Sequence, residues 1–144
     1  MFGFNKIINV KIRGFEPLTD NDNTIERKNI LLKKIRDKIN LEKAKKKCKN
    51  ILFSLKVVYY LNIDSKIVGQ YKKDLDNMTK IVADVLTDYL TAQDEQNKQK
   101  TGLGLIRDDK DIHELHLVKK FVGNDAEQGL DIVLYKWSKK LKMD

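Results

Sequence analysis

Proline and cysteine are almost missing from this chain, which has one of each in 144 residues. A single cysteine, Cys48, cannot close a disulfide within the chain or build a cysteine-based zinc cluster. The lysines around it, in "KAKKKCKN", would lower its pKa, but nothing there suggests a nucleophile, so a free structural thiol is expected. Histidine is equally scarce. His113 and His116 lie in "HELH", which is not the His-Glu-x-x-His zinc pattern because position 117 is leucine. In a strand the two would also point to opposite faces. No segment approaches the roughly 20 apolar residues of a membrane span. "MFGFNKIINVKIRG" lacks the apolar stretch of a signal peptide, so a cytoplasmic protein without a membrane partner is expected. "GLGLIR" has a G-x-G spacing but neither the third glycine nor the strand-to-helix setting of a nucleotide loop. It reads as a loop, and no small-molecule substrate is expected.

What the chain does have is charge. Charged residues make up 35% of it, and 29 Lys and Arg against 21 Asp and Glu leave a net +8. That balance favours a polyanionic partner, whether DNA, RNA or an acidic membrane surface. The membrane surface fits least, because the basic helix lacks an aromatic insertion face. With 41% hydrophobic residues, the chain is long enough to bury one core, so a single domain over residues 1–144 is expected.

Periodicity gives the order of elements. In "IINVKIR", Ile8, Val10 and Ile12 alternate with Asn9, Lys11 and Arg13, a strand with one basic face. "GFEPLTDNDN" is a loop. From about Thr24 to Lys47 the spacing is helical, with Ile25, Leu32, Ile35 and Ile39 on one side and Asn23 or Thr24 as cap. "ILFSLKVVYYL" alternates at period two and is rich in β-branched and aromatic residues, which suits a central strand. A second helix is expected over Asp76–Leu90, with Met78, Ile81, Val82, Val85, Leu86 and Tyr89 as its apolar stripe. "TAQDEQNKQKTGLG" reads as a polar, mobile loop. "DIHELHLVKKFV" and "LDIVLYKW" read as two further strands, with a turn at "GNDAEQG". The expected fold is α/β, in the α+β sense: one compact domain with two helices on a mixed sheet of about four strands. Its order is strand-helix-strand-helix-strand-strand.

Acidic residues collect at two points on this basic background. In "KKDLDNMTKIVADVL", Asp76, Lys80, Asp84 and Asp88 recur every four residues along the border of the apolar face. Asp74 and Asp76 stand at the helix start, where backbone N–H groups favour negative charge. The plain reading is a cap plus a surface Asp76–Lys80 pair worth about 0.3–0.5 kcal/mol. The second point is "LIRDDKDIHEL", with Asp108 and Asp109 at the start of a strand, where an aspartate commonly caps a turn. Converging carboxylates are also what Mg²⁺ requires, since it takes oxygen ligands and keeps several waters. A nearby lysine such as Lys80 can stabilise the charge of a phosphodiester transition state. The lysine run Lys43–Lys49 suits a helix C-terminus and could also contact phosphates.

Together, "KKDLDNMTKIVADVL" and "RDDKDIHELHLVK" resemble the RusA family of Holliday junction resolvases. The shared pattern is Asp74, Asp76, Asn77, then Lys80, then Asp108–Asp109, with Asp84 matching a further common aspartate. The resemblance covers about Tyr71–Lys120. It implies a homodimeric, Mg²⁺-dependent endonuclease that cuts four-way DNA junctions by paired incisions in recombination and repair. Asp74, Asp76 and Asp109 would hold the metal and Lys80 would be catalytic, with Asn77, Asp84 and Asp108 supporting. Lys72 and Lys73 would draw in the phosphate backbone. The alternatives are a nuclease for other branched or duplex DNA, and a non-catalytic nucleic-acid-binding domain whose aspartates are caps and surface ion pairs.

Overall fold

A computed structural model describes residues 6–17, 25–62 and 75–139. Its single sheet has four strands: β1 (Lys6–Arg13), β2 (Phe53–Asn62), β3 (Ile112–Val122) and β4 (Gly129–Lys136). Their spatial order is β1-β4-β2-β3, with β4 antiparallel to both neighbours and β2 parallel to β3. Burial alternates at period two in β1 and β4, whereas β2 is buried on both faces and edge strand β3 on neither. In β1, Ile8, Val10 and Ile12 are buried while Asn9, Lys11 and Arg13 are exposed. In register beside them stand Leu134, Ile132 and Leu130, then Leu55, Val57 and Tyr59. This apolar face is covered by helices and forms the core.

Four helices are present among the described residues, two more than the sequence suggests: α1 (Ile25–Arg36), α2 (Leu41–Lys47), α3 (Leu75–Leu86) and α4 (Ala92–Gln96). The helix expected over Thr24–Lys47 is broken by Asn40, whose side chain accepts from the Lys43 N–H at 3.1 Å and starts α2 afresh. Ahead of it, Lys38 and Ile39 bond back three residues to Ile35 and Arg36, tightening the end of α1. Leu32 and Ile35 of α1 enter the core as expected, with Leu31 beside them, but Ile25 is 57% exposed. The proposed caps Asn23 and Thr24 lie outside the described residues.

The α3 stripe of Met78, Ile81, Val82, Val85 and Leu86 is buried, yet the helix stops four residues before Leu90. The segment 91–107 explains why, and it overturns the expectation of a mobile loop. Thr91 caps α4, and the Thr101 hydroxyl donates to Asp94 while accepting from the Leu90 N–H. The chain then turns onto the end of α3. N–H groups of residues 101–106 donate to the carbonyls of Val85, Leu86, Thr87 and Asp88 at 2.9–3.1 Å. A helix leaves its last four carbonyls without internal partners; here Thr87 serves Ala83 and Asp84, and the returning segment serves Val85 and Leu86. Leu103, Leu105 and Ile106 follow into the core, each at most 2% exposed. The β2–β3 connection is thus the long crossover that parallel strands require, with residues 107–111 held at the start of β3. Among the described residues, no helix is long and apolar enough to cross a membrane.

Candidate active site

The second acidic point is built by local turn chemistry. Asp108 is extended, and its Oδ1 accepts from the Lys110 N–H at 3.0 Å, capping a single 3-10 turn over Asp109–Asp111. The plain capping role therefore falls to Asp108. Asp109 is left beside it, and the two carboxyl groups share a side-chain hydrogen bond. The backbone N–H of Lys110 holds Asp108 below its ordinary value. The hydrogen bond to Asp108 pushes Asp109 up, helped by slight desolvation at this exposed position and by the charges of Asp108 and Asp84. Adjacent carboxylates whose proton affinities diverge this way repel each other once both are charged, which a divalent cation would relieve.

The α3 residues come to meet them. A groove of about 760 Å³ is lined by Lys80 and Asp84 from α3 and by Arg107, Asp108 and Asp109 from the approach to β3. Residues picked from two separate stretches of sequence therefore share one concavity. The groove also holds a residue that the sequence does not flag. Lys28 of α1 is 6% exposed, and its Nζ donates to Asp84 Oδ2 at 2.9 Å and to the Leu90 carbonyl at 3.1 Å. Its position was legible: Lys28 stands three and seven residues before Leu31 and Ile35, a lysine on the inward stripe of an amphipathic helix. Lys28 fixes Asp84 at the groove wall. Lys28→Met should leave the Leu90 carbonyl unsatisfied and lower stability by about 1–3 kcal/mol, measured by urea unfolding.

Other expected site residues stand elsewhere. Asp76, in the first turn of α3, is exposed and does not line the groove. It precedes Asp84 by two helical steps of four residues, about 12 Å of rise. Asn77 is half-buried on the same turn. Asp74, Lys72 and Lys73 lie outside the described residues. Among the described residues, no group of three or more His, Cys, Asp or Glu is placed to hold a metal ion. The adjacent Asp108–Asp109 pair is still compatible with Mg²⁺, which commonly takes one or two carboxylates and completes its shell with water and substrate phosphate.

Several polar groups away from the groove pack against one another. Arg13 donates to Asp131 at 2.8 Å, Tyr60 donates to the other oxygen of that carboxylate at 2.8 Å, and the Arg13 guanidinium lies 4.1 Å from the Tyr60 ring centroid. His113 packs edge-on against Trp137 with ring centroids 5.0 Å apart. Burial pushes the Cys48 thiol up to about 11, opposite to the effect expected from its lysine neighbours. No family model matches the chain, and no curated protein matches it in sequence.

Proposed function

We propose that this chain is a Mg²⁺-dependent endonuclease that resolves four-way DNA junctions by paired phosphodiester cleavage, working as a homodimer. The observation that carries the reading is the meeting of Lys80 and Asp84 with the Asp108–Asp109 pair in one groove. A net charge of +8 adds a general attraction for DNA.

On this reading Asp109 holds the metal together with Asp108, and the RusA-like pattern adds Asp74 and Asp76 to the set. Bound Mg²⁺ would supply Lewis-acid polarisation of the phosphodiester and a water acidic enough to act near neutral pH. Lys80 faces the same groove and offsets the negative charge that builds on the phosphorus oxygens. Arg107 offers a planar fork for a non-bridging phosphate pair. Lys28 keeps Asp84 in position beside Asp109. A junction needs two symmetric cuts, so two copies of the chain would each provide one groove.

Labelled four-way junction is incubated beside linear duplex of the same sequence, with Mg²⁺ or with EDTA. Symmetric nicking of the junction alone, only with Mg²⁺, is the expected result. Equal cutting of both DNAs would keep the nuclease and discard junction selectivity. Binding without any product would leave a non-catalytic DNA-binding domain. Asp76→Asn tests the family pattern separately: it should abolish cleavage and spare binding, and normal cutting would remove Asp76 from the metal set.

A further inference from the structure

A second cavity, of about 630 Å³, lies between the C-terminal end of α2, the start of β2 and the segment 100–107. Lys45, Lys49, Lys100 and Arg107 line it, against two carboxylates, Asp88 and Asp111. Neither the Arg13–Asp131 nor the Lys28–Asp84 ion pair involves any of these four cations. All four are exposed at the rim. Unpaired cations gathered in a concavity focus positive potential more than the same charges on a convex surface.

The returning segment shapes the cavity wall. Gly104 has φ +69°, and a Cβ there would come within 3.1 Å of Asp88 Oδ1 and 3.7 Å of Lys45 Cε. A bare backbone at that point leaves the Lys45 side chain room to lie along the wall. Arg107 lines this cavity and the acidic groove alike, so the two share a wall. A basic trough therefore runs directly into a site with paired carboxylates.

We infer that the trough is a binding cleft for a DNA phosphodiester backbone, holding the strand on one side of the bond to be cut. The inference rests on the acidic groove being the cutting site. Each backbone phosphate neutralised by a lysine releases condensed counterions, so every contact adds a measurable increment to the salt dependence of binding. Surface lysines outside a trough add to long-range attraction without making such contacts.

The test measures anisotropy of a fluorescein-labelled four-way junction across a series of NaCl concentrations, in EDTA so that nothing is cut. Lys45→Ala/Lys49→Ala/Lys100→Ala is compared with Lys11→Ala/Lys33→Ala/Lys38→Ala, which removes the same charge from other exposed positions. The cleft variant should flatten the slope of log K against log [NaCl] by about 2–3, near 0.9 per lost contact, and the control by less than about 1. Equal flattening by both variants would overturn the cleft. Cys48, the only cysteine in the chain, lines the same cavity and gives an independent readout. Bound junction should slow its alkylation by iodoacetamide several-fold, and an unchanged rate would overturn the cleft. A chain that never cuts DNA yet shows both effects would sink the nuclease reading and keep the cleft. A chain that cuts, with neither effect, would do the reverse.

Discussion

Asp109→Asn is expected to lower Mg²⁺-dependent cleavage of a four-way junction by roughly 10²–10³-fold, the scale of losing one group that stabilises transition-state charge. Its protein should be at least as stable as the wild type at neutral pH. That pairing of outcomes follows from the pKa of Asp109, which is raised in the fold first by its hydrogen bond to Asp108. A carboxyl group with a raised folded pKa favours the fold only while protonated. Its contribution is complete below the ordinary carboxylate value and is lost as pH rises through the folded pKa. At neutral pH the Asp109 charge therefore opposes folding, and asparagine removes that opposition. Asp108, held low by the Lys110 N–H, behaves the opposite way: its contribution is lost as pH falls through its lowered pKa. A gel assay beside a thermal melt reads both quantities. A variant that cuts at the wild-type rate would take Asp109 out of the site. One that fails to cut because it has melted would show a lower midpoint, contrary to expectation.

The second large effect is on stability. Gly102→Ala should cost about 1–3 kcal/mol or more, the range for forcing extra atoms into a packed interior. A Cβ at Gly102 would fall 1.9 Å from the Thr87 carbonyl oxygen and 2.9 Å from its carbon, and backbone cannot rotate away as a side chain does. Gly102 and Thr101 both donate to the Asp88 carbonyl at 2.9 Å, so displacing them uncovers the C-terminal end of α3. The damage should travel. Arg107, Asp108 and Asp109 follow this segment directly, so activity at sub-denaturing temperature should fall together with the urea midpoint. Gly123→Ala is the matched control. Nothing lies within 4 Å of a Cβ built there, and a change within about 0.5 kcal/mol is expected. A Gly102→Ala midpoint equal to that control would mean that segment 101–106 does not hold α3 as described.

Sheet and site were legible to different depths, for physical reasons. β1 and β4 show in the sequence because one of their faces is buried, which writes a period of two into the residues, whereas β2, buried on both faces, shows by its β-branched and aromatic content. The α1–α2 break does not show as a loss of periodicity, since Leu32, Ile35 and Ile39 continue the apolar spacing across it. It is set by one hydrogen bond from the Lys43 N–H to Asn40 Oδ1, and Asn40 reads equally as a polar helix position. Segment 91–107 was misread for a related reason. Its order comes from backbone N–H groups reaching α3 carbonyls, and such bonds leave almost no trace in side-chain identity. Lys80, Asp84, Asp108 and Asp109 could be named from residue type and spacing, but their convergence depends on that same segment. The inward position of Lys28 could be read from its spacing to Leu31 and Ile35, but its role could not, because Asp84 lies 56 positions away.

The strand order has a consequence for how the molecule is made. β4 lies between β1 and β2, so β1 has no strand to pair with until residues 129–136 exist. Arg13 meets Asp131 across 118 positions. During synthesis the apolar row Ile8, Val10 and Ile12 must therefore wait, unpaired, while nearly every other element emerges. The β2–β3 crossover can condense first, and the late arrival of β4 stitches both halves together. Such long-range closure is slow. This places the chain's greatest exposure to aggregation in the interval before its last strand leaves the ribosome.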